Sequence, residues 1–140
     1  DVAALLLAHG AVGSPSEAMA LVTAAGYQQA RALIAEVVAA AHAGGTLCLI
    51  GHPGRGEGEL HRFLPEEIED LCADVPLDGV EVYYPTHTPA QTEAYAALAS
   101  RCRLLVSAGS DSHGPRQRMP IAYPAALVAS LLERLGVAVG

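Results

Sequence analysis

Apolar positions along the first forty-five residues fall in short alanine-rich runs separated by glycines, with few polar groups between them. Ser14-Pro15-Ser16-Glu17 has the form of a capping box, with Pro at the first helical position. It predicts a helix continuing through Ala18 to Ala25 and stopped by Gly26. The run Ala30 to Ala43 predicts another helix, ended by Gly44-Gly45. After Gly45 the pattern changes. Thr46-Leu47-Cys48-Leu49-Ile50 is a short, largely apolar run of the kind that strands buried on both faces show. A polar, glycine-rich loop follows from Gly51 to Leu60. Pro65-Glu66-Glu67-Ile68 opens a helix with acids in the first turn, where the helix dipole favours them. Val80-Glu81-Val82-Tyr83-Tyr84 predicts a second strand after the turn Pro76-Leu77-Asp78-Gly79. Thr88-Pro89-Ala90-Gln91 is another capping box, starting a helix to about Arg101. Arg103 to Ala108 predicts a third strand, Gly109 to Pro120 a loop, and Pro124 to Leu135 a last helix closed by Gly136.

The second part therefore reads strand, loop, helix three times. Strands alternating with helices imply βα units and an α/β fold with a parallel sheet or barrel. The boundary falls between a helical segment, 1–45, and the βα segment, 46–140. No internal repeat and no low-complexity linker appears.

In such folds functional residues collect just beyond the carboxyl ends of the strands. Each predicted strand delivers one histidine to that rim. His52 follows the first in Gly51-His52-Pro53-Gly54-Arg55, His87 the second in Pro85-Thr86-His87, and His113 the third in Ser110-Asp111-Ser112-His113-Gly114. Asp111 and His113, two apart in an extended stretch, point to the same side, so that carboxylate and imidazole face one ion. Oxygen and nitrogen donors suit Zn, Mn or Fe. His52, in a rigid turn, is a third candidate ligand. Arg55 offers a planar fork that matches phosphate. His87 is open between ligand, general acid, substrate contact and plain capping histidine. Glu81 either holds a ligand histidine in position from inside a strand or faces solvent. Arg116 and Arg118 either meet an anionic substrate or pair with surface acids. His9 and His42, at helix ends, read as structural; His61, beside Arg62, is open between a loop covering the site and a plain surface histidine, and is given no role. No G-x-S-x-G elbow occurs, and neither a P-loop nor G-x-G-x-x-G follows a strand.

Composition narrows this picture. The 140 residues are 51% hydrophobic and 16% charged, which excludes disorder, and aromatics are only 4%, so the core is aliphatic. A net charge of −7 argues against a broad grip on nucleic acid. Cys48, Cys72 and Cys102 are odd in number and far apart, and read as reduced thiols serving as small hydrophobes. No apolar run approaches the roughly 18 residues of a membrane span, and the first residues lack a basic leader. These features predict a cytoplasmic chain without a membrane partner. The chain begins at Asp1 rather than Met, and the gene product is expected to start upstream.

His52-Pro53-Gly54-Arg55 after an apolar strand, Glu81-Val82-Tyr83 before His87-Thr88-Pro89, and Gly109-Ser110-Asp111-Ser112-His113-Gly114 resemble the PHP (polymerase and histidinol phosphatase) family. The similarity is to its small bacterial metal-dependent phosphoesterases: 3′,5′-nucleoside bisphosphate phosphatases and 5′-to-3′ exoribonucleases. It covers about Gly44 to Gly136, and the helical stretch before Gly45 resembles that group's small inserted subdomain. The resemblance implies a distorted seven-stranded TIM-like (β/α) barrel holding two or three divalent metals (Mn, Zn, Fe or Mg). On it, His52, Asp111 and His113 match metal ligands and Arg55 a phosphate contact; His87, Glu81 and Arg116 stay as possible substrate or supporting residues. The implied chemistry is hydrolysis of a phosphate ester of a nucleotide or short RNA end by a metal-bound water, with no side-chain base assigned.

The family's H-x-H and intervening Glu do not occur in this chain. A full barrel needs about 250 residues. The expectation is therefore the C-terminal part of a barrel, about three βα units, that supplies part of a metal site and needs an N-terminal half. Two alternatives stand beside it: an inactive or regulatory half-barrel with a partner, and an amidohydrolase-like metal-dependent barrel hydrolase. An isolated three-stranded piece is expected to expose strand edges and to associate.

Overall fold

The computed structural model describes residues 2–26, 32–56, 61–112 and 120–138. It divides into two compact units, Asp1–Ala32 and Leu33–Gly140.

The first unit pairs two helices, α1 (Val2–Ala8) and α2 (Pro15–Ala24). The expected cap is present: Ser14 Oγ accepts the Glu17 N–H at 3.2 Å. The Glu17 carboxylate takes the N–H of Gly13, one residue before the position a capping box uses, at 2.7 Å. Gly10 and Gly26 adopt positive φ after the two helices, where a side chain would be strained.

The second unit runs α3 (Ile34–Ala43), β1 (Leu49–Ile50), α4 (Pro65–Asp74), β2 (Gly79–Tyr83), α5 (Pro89–Cys102), β3 (Leu105–Ala108), a 3₁₀ turn (Ala125–Val128) and α6 (Ala129–Arg134). The three strands form one parallel sheet in the order β1-β2-β3. Expected elements and observed ones agree in type and order but differ in detail: α1 precedes the two helices the sequence marks, α3 starts at Ile34 rather than Ala30, and β2 covers Gly79–Tyr83 rather than Val80–Tyr84. β1 is two residues rather than five, because the Asp78 carboxylate takes the Cys48 N–H at 2.7 Å. β3 begins at Leu105, because Arg103 closes α5 in the left-handed conformation at φ 56°. The last helix is split, its first turn tightened to 3₁₀. Helix α3 belongs to this unit: Val38 is fully buried in the same core as Ile50 and Ile68.

Two-residue and 3.6-residue periods meet in that core. Val80 and Val82 share one face of β2 and have no accessible surface. Tyr95, Leu98, Ala99 and Cys102 form one stripe of α5, and Ile68 and Cys72 the inner stripe of α4. Glu66, Glu67, Glu69 and Asp70 take the outer side of α4. The strands are not buried on both faces as their apolar content implied: Leu49, Glu81 and all four β3 residues are half-buried. No helix among the described residues is long and apolar enough to cross a membrane.

Candidate functional site

The carboxyl ends of the three strands gather one polar cluster. After β1 the chain turns at His52, whose φ is +32°, and Arg55 N–H closes the turn on the His52 carbonyl at 2.9 Å. Pro53 and Gly54 are buried beneath it. The His52 N–H donates to Glu81 Oε2 at 2.6 Å. Glu81 thus sits inside the sheet and holds the backbone of the His52 turn rather than an imidazole. A β-carbon at Gly109 would collide with the same carboxylate, so glycine there leaves room for Glu81.

After β3, Asp111 also takes a positive φ, +52°. Such a conformation costs on the order of 1–3 kcal/mol in a non-glycine residue and is maintained only by its surroundings. Here Asp111 Oδ2 accepts two donors, Arg55 Nη1 at 2.6 Å and the Tyr84 hydroxyl at 2.9 Å. Tyr84 is buried, with its ring 5.3 Å from that of His52 and 5.2 Å from that of His87. The fold therefore brings His52, Arg55, Glu81, His87 and Asp111 to one rim. His113 and Arg116, with Arg118, lie outside the described residues.

His87 meets backbone groups through both ring nitrogens. Its Nε2 accepts the Gly54 N–H at 3.2 Å, so Nδ1 carries the proton and donates to the Val82 carbonyl at 3.0 Å. With both ring nitrogens engaged by backbone, His87 ties the carboxyl end of β2 to the loop after β1. Gln91 grips the same residue through the following peptide, donating from Nε2 to the Gly54 carbonyl at 3.1 Å. Beside this turn lies an open cleft of about 480 Å³, bordered by Arg55, Arg62, Thr86 and Gln91, with no acidic side chain among the described residues of its lining.

Among the described residues no group of three or more His, Cys, Asp or Glu side chains is placed to hold a metal ion. His52 and Asp111 are two candidate donors, and they do not complete a divalent-metal site by themselves. His42 pairs with Asp78 at 2.8 Å, at the opposite end of the sheet, and the exposed His61 approaches Glu67 at 3.3 Å. The cysteines are free and half-buried. Burial, with Cys102 beside it, pushes the Cys72 thiol up to about 11, which suits a packing role and not a nucleophile.

Two residues of the rim escaped sequence reasoning. Tyr84 was read only as the end of a strand, although a tyrosine at the carboxyl end of a predicted strand is a visible signal. Gln91 was read only as a helix cap, and its second bond, across 37 positions, has no local signature.

Comparison with known proteins agrees with the resemblance read from these residues. Over 76 residues the chain is 38% identical to the phosphoribosyl 1,2-cyclic phosphate 1,2-diphosphodiesterase of Eggerthella lenta, a stretch that is 54% of this chain and 26% of that protein. A crystal structure from Bifidobacterium adolescentis described as a metal-dependent phosphoesterase superposes with a TM-score of 0.62 at 27% identity, over 94% of this chain and 48% of that one. An amidohydrolase from Chromobacterium violaceum, with bound sulfate and no metal, gives a TM-score of 0.57 at 26% identity, covering 94% and 49%. No family model matches the chain. The chain spans about half the length of the solved structures it matches, and the curated match runs over about a quarter of that relative. Across the matched part the chain is similar to proteins named as hydrolases of phosphoric esters.

Proposed function

We propose that the chain is the C-terminal part of a distorted (β/α)7 PHP barrel that hydrolyses a phosphate ester of a nucleotide or short RNA end. The observation that carries this reading is the convergence at the strand ends, where Arg55 is held 2.6 Å from Asp111 at the edge of a cleft that Arg62 also borders. Arg55 serves as the phosphate contact, its planar guanidinium held by Asp111 at the edge of the cleft. His52, Asp111 and His113 serve as the metal ligands this part contributes, the other donors coming from polypeptide that supplies the remaining barrel strands. A divalent metal, when bound, makes water nucleophilic at neutral pH and offsets charge on phosphorus. The chain's own residues hold the rim in place: Glu81 fixes the His52 turn, His87 the Arg55 turn, and Tyr84 the Asp111 carboxylate.

Two other readings keep a specific support. The coverage of about half of each solved relative favours a half-barrel that is inactive or regulatory without its complement. The Chromobacterium violaceum structure, described as an amidohydrolase, favours C–N bond hydrolysis. Arg55 in its His52-Pro53-Gly54-Arg55 turn favours phosphate over amide. The deciding experiment measures Mn²⁺-dependent release of phosphate from adenosine 3′,5′-bisphosphate by protein carrying the remaining barrel strands. Replacing both Asp111 and His113 by Ala is expected to lower the rate by about 100-fold or more. An unchanged rate overturns the proposal.

A further inference from the structure

We propose that Gln91 is a positioning residue for the phosphate contact, one side-chain amide that both caps α5 and aims the Arg55 turn. This inference rests on the reading of Arg55 as that contact. The two duties use different atoms. Gln91 Oε1 accepts the Thr88 N–H at 2.9 Å, while the Gln91 N–H returns to Thr88 Oγ1 at 3.2 Å, completing the cap. Gln91 Nε2 is then directed away from the helix and donates to the Gly54 carbonyl at 3.1 Å. On its other side the Gly54 N–H donates to His87 Nε2. The peptide preceding Arg55 is therefore fixed through its carbonyl, and the one before it through its N–H, by two side chains from the segment after β2.

The fit leaves no slack. A β-carbon at Gly54 would lie 2.8 Å from Gln91 Nε2 and 2.9 Å from two atoms of the His87 ring. Glycine at 54 is thus a close-approach residue, and its φ is not in the left-handed region. Because the Gly54 carbonyl carbon is bonded to the Arg55 nitrogen, rotation of this peptide swings the Arg55 side chain directly. Arg55 in turn meets Asp111 in the loop after β3. Gln91 consequently links the helix after β2, the loop after β1 and the residue after β3. A residue serving only as a cap would need an acceptor at its tip, and glutamate meets that need as well as glutamine. The Nε2 donor is what glutamate lacks.

That difference separates the two duties experimentally. The 140-residue chain, with its Gln91→Glu, Gln91→Ala and Arg55→Ala variants, is titrated calorimetrically with inorganic phosphate, and each is melted. Gln91→Glu is expected to melt at or above the parent temperature and to bind phosphate about five- to tenfold more weakly, the effect of one hydrogen bond. Gln91→Ala, which adds no charge, is expected to bind as weakly and also to melt lower. If Gln91→Ala binds phosphate like the parent, the inference is overturned, and any weakening confined to Gln91→Glu is charge repulsion. Loss of folding in Gln91→Glu overturns the division of duties. Absence of phosphate binding by the parent, or undiminished binding by Arg55→Ala, overturns the underlying reading of Arg55. Binding that depends on Arg55 but not on Gln91 removes this inference alone.

Discussion

The two ends of the sheet use the same residue types for opposite purposes. At the amino end, Asp78 accepts the Cys48 N–H at 2.7 Å and meets His42 at 2.8 Å, tying α3 to the start of β1 and β2. At the carboxyl end, Asp111 accepts from Arg55 and Tyr84, and His87 bridges two backbone groups. Each end thus has a histidine and an aspartate, so residue identity does not tell them apart. Their contacts do. At the carboxyl end the positive-φ turns at His52 and Asp111, after β1 and β3, carry side-chain contacts between loops, whereas the positive φ of Arg103 at the amino end closes α5. The amino end spends its polar groups on satisfying neighbouring backbone, which is a contribution to stability.

The glycines sharpen the contrast. A β-carbon at Gly79, the first residue of β2, would lie 2.5 Å from the Leu105 carbonyl of β3 and 2.7 Å from Leu49 of β1. At Gly109 it would meet only the tip of Glu81, a side chain that can move. Gly79→Val is accordingly the most damaging change expected, costing about 3 kcal/mol or more, because strand backbone cannot give way. Chemical denaturation measures it, and near-parental stability would show that the sheet does not close as described.

Asp78→Ala comes next. It strands the Cys48 N–H and frees His42, at an expected cost of about 1–3 kcal/mol, with phosphate binding unaltered. Loss of phosphate binding in this variant would break the separation of the two ends. The same carboxylate carries an acid limb. Burial alone would raise the Asp78 pKa above its ordinary 3.8, but the Cys48 and His42 hydrogen bonds and the nearby charge of Arg134 outweigh it and hold it lower. A group depressed in the folded state stabilises fully above its ordinary value. That contribution is lost as pH falls through the lower folded value. Melting between pH 5 and pH 2.5 (roughly the window either side of an ordinary carboxylate) should therefore fall less steeply in Asp78→Ala than in the parent.

The smallest effect is expected at the Arg101–Glu69 pair, 2.7 Å apart on the outer faces of α4 and α5. Its hydrogen bond raises Arg101 and lowers Glu69. Both groups are exposed to water and salt, so Arg101→Ala should leave the melting temperature within measurement error. A clear drop would place an unexpected share of stability in the helix layer.

Much of the architecture was legible because it is written locally. Thr88 and Gln91 announce their cap by spacing, Pro65 and the acids after it announce α4, and the apolar runs around Ile50, Val82 and Val106 announce strands. Positions of His52 and Asp111 beyond strand ends were legible for the same reason. What local pattern could not show was where each element stops when a distant group competes. β1 is short because Asp78, thirty positions away, takes a ladder N–H. Arg103 leaves the strand because α5 needs a left-handed terminus.

The sequence by itself determined the order of elements, the parallel alternation, the aliphatic core stripe and the residue types at the rim. These follow from periodicity, capping and turn chemistry, which act over a few residues. Only the tertiary structure decided the partners. It made His87 a backbone link, turned Glu81 toward the His52 turn, recruited Tyr84 to Asp111 and gave Gln91 a second duty. Those outcomes depend on hydrogen bonds between groups 27 to 37 positions apart. Such contacts arise only when packing has brought the strand ends together, and no spacing rule along the chain encodes them.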